Sequence, residues 1–242
     1  MKALKIGNNI SSFSKYSCQT KTKNELIDII KSRMDKDGPR CDLNDIDTSL
    51  IEDMSYLFAQ SKFNGNISDW NVSKVKDMMG MFYESSFNGD ISNWDTSKVS
   101  DMWGMFYGSK FNQDISRWDV SSVKDMKNMF AYSKFIGNIS KWNVGKVIDM
   151  SYMFTNSEFN RDISKWDTSN VIDMSKMFAS SKFNKDISRW DVSNVKYMIR
   201  MFKYASFDQD ISNWNIRQDC NTECMFLDCH IQEEHKPKTL QQ

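Results

Sequence analysis

The chain has 242 residues, and its Lys plus Arg equal its Asp plus Glu at 32 each. That balance excludes a general electrostatic pull toward nucleic acid or an anionic membrane, so no nucleic-acid partner is expected and any partner must be met locally. No apolar run is long enough to span a bilayer, and the stretch after Met1 turns polar at once, so neither a transmembrane segment nor a signal peptide is expected.

In chain order, Leu4 to Ile6 is expected as an edge strand, and Thr22 to Asp35 as a helix. Leu26, Ile29, Ile30 and Met34 form its apolar stripe, Thr22 or Asn24 its N-cap, and Asp37-Gly38-Pro39 its stop. Residues 1–42 read as an N-terminal cap. An amphipathic helix laid over the end of a stack would cover the apolar face that the end otherwise exposes.

From Leu43 onward one unit recurs. Trp70, Trp94, Trp118, Trp142, Trp166, Trp190 and Trp214 follow at 24-residue steps without insertion or deletion. The same steps carry Phe63 to Phe207, Ile67 to Ile211 and the Met-Phe pairs from Met81-Phe82 to Met225-Phe226. A fixed short period implies units stacked on like neighbours, each burying a face that it could not bury alone. Residues 43–226 therefore read as one partial and seven complete repeats, and 227–242 as a capping remnant and tail. In the copy beginning at Phe87, Ile91, Trp94, Thr96, Val99, Met102, Met105, Phe106 and Phe111 are the core positions. Trp94 and Thr96 alternate like a strand. Met102, Met105 and Phe106 recur at helical spacing behind Asp101 as N-cap. The expected fold is an α/β repeat solenoid of leucine-rich-repeat-like coils, each a short parallel β-strand plus a short helix, with a helical N-terminal cap. Neighbouring coils would lie about one strand spacing, ~4.8 Å, apart.

The unit FNxDISxWDxSxVxDMxxMF resembles the repeat of the BspA-like, leucine-rich-repeat-related proteins, also described as the bacterial surface protein repeat or DUF285 family. The likeness covers about Leu43 to Phe226. It implies a non-enzymatic solenoid used in surface display, adhesion or protein binding, with no ligand and no catalytic residues to carry over. Surface-exported members usually carry a signal or lipid-anchor cysteine. With none seen here, a cytoplasmic or particle-associated place is expected over a secreted one.

Three columns of repeated polar residues need a role. Asp90, Asp114, Asp162 and Asp186 form one, and Asp95, Asp119, Asp167 and Asp191 a second, with Asn in the same columns of other copies. Turn hydrogen bonding fits them, with calcium as the alternative. A third, Asp77, Asp101, Asp125, Asp149 and Asp173, stands where helix N-caps belong. A basic row, Arg117, Lys141, Lys165 and Arg189, reads either as a cross-strand ladder neutralising the aspartates or as a stripe for an acidic partner.

Met79, Tyr83, Trp103 and Tyr107 are apolar where later copies are polar, and Trp103 is the one tryptophan outside the series. They are expected to be exposed together as a protein-contact patch, with tolerated surface drift as the bland alternative. Ile148, Tyr152 and Ile172 form a smaller candidate. Of the five cysteines, an odd number, Cys220, Cys224 and Cys229 lie near His230 and His235 at a spacing that matches no common zinc pattern. Free thiols in a reducing compartment are the expectation, with no metal and no cofactor. No phosphate loop or nucleophile elbow is seen, so no catalytic residue is assigned. The sequence reads as a non-enzymatic protein-binding solenoid or, alternatively, a self-associating structural component.

Overall fold

The computed structural model describes residues 16–240; the predicted strand Leu4 to Ile6 lies outside them. The first element, β1 (Cys18–Gln19), pairs in parallel with β2 (Ile46–Asp47), Cys18 opposite Ile46. Between them runs α1 (Lys23–Asp37), started by a capping box. The Glu25 amide donates to Thr22 Oγ1 at 3.2 Å, and the Thr22 amide to Glu25 Oε2 at 3.2 Å, so two otherwise orphaned donors are satisfied. Gly38, at φ 81, ends the helix and donates to the Met34 carbonyl at 2.9 Å. Leu26 and Ile30 are buried, and Ile29 and Met34 pack partly against the same core.

The repeated units stack. Parallel bridges join Asp53 to Asp77, Asp77 to Asp101, and so on through Tyr197 and Asn221, each 24 residues further along. Within one unit the chain turns five times. Trp94 donates to the Ile91 carbonyl, Val99 to Thr96, Met105 to Met102, Tyr107 to Gly104 and Ser109 to Phe106, at 2.9–3.2 Å. Four further amides of Met102–Gly108 look outward along the stack. Met102, Gly104, Phe106 and Gly108 donate to Asp125, Lys127, Met129 and Ala131 of the next unit at 2.8–3.0 Å.

This arrangement corrects the expected local structure. Met102–Ser109 and its equivalents, including Met78–Phe82, are consecutive turns; among the described residues the only α-helix is α1. Nor do Trp94 to Thr96 make a strand, since the bridge lies at Asp101. The cause is backbone conformation. Gly80, Gly104 and Gly108 have φ of 56–60°, and thirteen non-glycine residues at the matching places have φ of 50–60°. Each is the third residue of a turn, a left-handed conformation that an α-helix cannot contain. The spacing of Met102, Met105 and Phe106 comes from two turns, both presenting these side chains inward.

The core is a set of columns. Phe82, Phe106 and Phe130 stack at 5.6–5.7 Å, and Trp94 lies 6.4 Å from Trp118 with rings 3° from parallel. Each series tryptophan also has its indole nitrogen satisfied: Trp118 Nε1 donates to the Ile91 carbonyl, in the unit before, at 3.0 Å. Large apolar area and a satisfied donor together make these residues the register pins of the stack.

Candidate functional site

The half-unit Lys98–Gly108 buries Val99, Met102, Met105 and Phe106. Its other side chains form one side of the stack, and there the aromatic residues spared from the core collect. Of the eight tyrosines, seven lie on this side: Tyr56, Tyr83, Tyr107, Tyr132, Tyr152, Tyr204 and, in the bridge column, Tyr197. Tyr83 and Tyr107 stack at 4.5 Å, 3° from parallel, and Trp103 lies 6.3 Å from Tyr83. Tyr56 closes over Trp103 from the other end at 6.4 Å, and Tyr132 tilts against Tyr107 at 5.3 Å. Gly80 makes this possible. A Cβ there would meet the Tyr56 ring at 2.4 Å, so the tyrosine can lie along the stack only across a glycine.

The expected patch is thus one cluster, but its exposure differs from expectation. Trp103 is half-buried, because Tyr56 and Tyr83 shield its ring; Met79, Tyr83 and Tyr107 are half-buried too. The open tyrosines on this side are Tyr56, Tyr132, Tyr197 and Tyr204, at 46%, 50%, 45% and 56%. Sequence reasoning missed all four, since it followed the columns of Trp103 and Tyr107 and neither the left-handed positions beside them nor Tyr197 in the bridge column. At the left-handed positions, a tyrosine where other units have glycine was the available signal. Burial, with Tyr107 beside it, pushes the Tyr83 phenol above its ordinary range.

Further along, Ile148, 47% exposed, and half-buried Ile172 line a shallow groove of about 400 Å³ with Lys124, Lys146 and Asn170. Tyr152 does not line that groove and instead sits between Lys127 and Lys176, whose Nζ atoms lie 6.0 and 4.8 Å from its ring centre.

The basic row falls elsewhere. Arg117, Lys141, Lys165 and Arg189 are exposed, each the third residue of a turn such as Ile115–Trp118, so the expected cross-strand ladder does not form. Arg117, Lys165 and Arg189 instead stand near Asp114, Asp162 and Asp186 of their own turns and help lower those carboxyl pKa values. The aspartates themselves hold turns. Ser92 donates its amide to Asp90 Oδ1 at 2.9 Å, which keeps that carboxyl below the ordinary range, and Asp114, Asp162 and Asp186 repeat the contact.

The third column differs. Asp101 accepts the Trp103 amide at 2.8 Å and Asp125 that of Lys127 at 2.8 Å, capping turns where helices were expected. These carboxylates are half-buried in a row of like charges. Burial raises the pKa of Asp101, and pushes that of Asp125 up to about 6. Among the described residues no three His, Cys, Asp or Glu side chains cluster as a metal would need. The cysteines are free thiols; burial pushes Cys220 up to about 11.

The sequence profile of a family described as "Mycoplasma protein of unknown function, DUF285" matches residues 32–136 and again 130–237. The chain belongs to that family. No curated protein matches it, and no solved structure does. A DUF285 chain is thereby a repeat protein, and among the described residues of this one no helix is long and apolar enough to cross a membrane.

Proposed function

We propose that this chain is a leucine-rich-repeat-like solenoid related to the BspA-like proteins, without catalytic activity, that binds a protein partner through its tyrosine-rich side. The observation that carries the reading is the segregation of Tyr56, Tyr83, Trp103, Tyr107, Tyr132 and Tyr204 to one side, although every unit has outward positions all round. Tyrosine and tryptophan supply large contact area at low conformational cost, which is why binding surfaces concentrate them. The stacked rings also pre-organise one another, lowering the ordering cost of association. Tyr132→Ser combined with Tyr204→Ser removes two open rings without touching the buried columns. The variant should melt with the wild type yet lose retention of its partner from source-cell extract. Equal retention by a folded variant would reject the reading.

A structural role is the second reading, and one observation favours it. In the last unit the amides of Thr222, Cys224, Phe226 and Asp228 have no acceptor among the described residues, while their counterparts in every earlier unit donate to the next. Such an edge is a template for end-on assembly. Light scattering that rises with protein concentration, and falls with Leu227→Lys beside the edge, would support it; concentration-independent scattering would not.

A further inference from the structure

The tyrosine-rich side has a charge bias that the whole chain lacks. From the unit of Lys98 to the unit of Tyr204, its outward positions in the two strips that flank the bridge column carry basic residues and no Asp or Glu. Lys98, Lys124, Lys146 and Lys196 form an exposed strip on one flank, around Ile148 and Ile172. On the other flank Lys127, Lys176 and Lys203 stand among the tyrosines, Lys203 Nζ lying 4.7 Å from the Tyr204 ring centre. None of these seven lysines makes an ion pair, although ion pairs form elsewhere, as between Lys76 and Glu52 at 2.7 Å. The half-buried bridge-column aspartates between the flanks, Asp101, Asp125, Asp149 and Asp173, offset only part of that charge, and each accepts its own turn's amide. The opposite side mixes signs, with Arg117, Lys165 and Arg189 beside aspartates.

We propose that the partner met on this side is an acidic protein segment whose carboxylates face the lysine strips and whose apolar side chains rest on Ile148, Ile172 and the tyrosines. The inference rests on the protein-binding reading above and adds the chemistry of the partner. Unpaired lysines on a neutral chain give electrostatic complementarity, which sets partner choice and association rate. A single-stranded nucleic acid would meet the same lysines, but it also needs free ring faces on which to stack its bases. Here four of those rings have a face taken: Tyr83 stacks on Tyr107, and lysine ammonium groups lie over Tyr152 and Tyr204. An acidic peptide needs only ring edges and ammonium groups, so it fits better.

The test uses the full chain with fluorescently labelled probes: a peptide of glutamate and leucine, the matched peptide of lysine and leucine, and an oligodeoxythymidine. The acidic peptide should bind best, and its affinity should fall with rising salt. Lys124→Glu with Lys146→Glu should weaken it about tenfold or more, whereas Arg117→Glu with Arg189→Glu should leave it within about twofold. All four residues are exposed and none makes a salt bridge among the described residues, so unchanged melting temperatures verify the fold. Equal binding of the lysine peptide, tighter binding of the oligonucleotide, equal effects of the two reversals, or no binding of the acidic peptide would each overturn the proposal. The two readings separate in extract. Partner retention lost with Tyr132→Ser and Tyr204→Ser but kept with the lysine reversals would leave protein binding standing and remove the acidic partner. Retention kept by both would remove protein binding as well.

Discussion

The two ends of the stack close in different ways. At the first, α1 lies over the leading unit, with Leu26 and Ile30 exposed only 0% and 4%, and Lys23 Nζ reaches Asp53 Oδ1 at 3.0 Å. At the last, the segment after Cys229 folds back along the tryptophan side, where His235 accepts the Ile211 amide at 3.0 Å and Ser212 that of Lys238 at 3.3 Å. That return leaves Phe226 half-buried, although Phe202 in the unit before is fully buried. One end is therefore covered by an element with its own apolar stripe, and the other by an irregular segment that covers part of the core. Closure of a repeat array is a local property of each end and does not follow from the repeat itself.

The comparison can be broken most directly by emptying each cover. Ile30→Ala should cost about 3 kcal/mol in chemical denaturation, whereas Ile231→Ala at the far end should cost about half as much, because its site can collapse. Equal losses would mean that both ends bear equally on stability. Removing the start of α1 with Thr22→Ala should cost about 1 kcal/mol and reduce helical circular dichroism; unchanged stability would show the capping box to be incidental.

Middle and end also differ in charge, since Asn221 occupies in the last unit the column that Asp125 occupies in the middle, and caps the Glu223 amide equally at 3.0 Å. Asp125→Asn should thus keep the turn and remove a buried charge. Its folded pKa is raised to about 6, so the folded state holds the proton more tightly than the unfolded. That contribution is present below the ordinary aspartate range and lost as pH rises through about 6. Relative to wild type, the variant should gain about 1 kcal/mol at pH 7 after solvent screening, and the gain should vanish in acid below the ordinary carboxyl range. A gain independent of pH would put its origin outside the carboxylate. The smallest effect is expected at Ser180, φ 54. Ser180→Gly relieves left-handed strain against the added freedom of the unfolded chain, for a net gain of about 0.5 kcal/mol by thermal melting; a loss would show the serine to be held by more than its backbone.

Much of this was legible in the sequence. The tryptophan steps gave the stacking register, the inward positions gave the buried columns, and the apolar stripe behind Thr22 gave α1. The turns of Met102–Ser109 were not legible, because inward side chains three and four apart are shared by a helix and by paired turns. Only the glycines at 80, 104 and 108 hinted at left-handed backbone, and tyrosine, lysine and asparagine in the same columns hid the hint. The misplacement of Arg117, Lys141, Lys165 and Arg189 followed from the same error, since a cross-strand ladder presupposes a strand. Trp103 was placed in the right cluster but with the wrong exposure, because the shielding Tyr56 comes from two units away.

The indole bonds give the stack a direction. Trp94 donates to Ile67, Trp118 to Ile91, and each later tryptophan of the 24-residue series to the unit behind it, while every tryptophan of that series is buried to within 4%. A unit therefore meets its buried donor's need from residues already synthesised, and the amides it points forward can be hydrated until its successor arrives. A chain leaving the ribosome could add finished units one after another upon α1. A chain cut from its front would strand an indole in apolar surroundings, whereas one cut from its back would strand none, so shortening from the two directions should have unequal effects on folding.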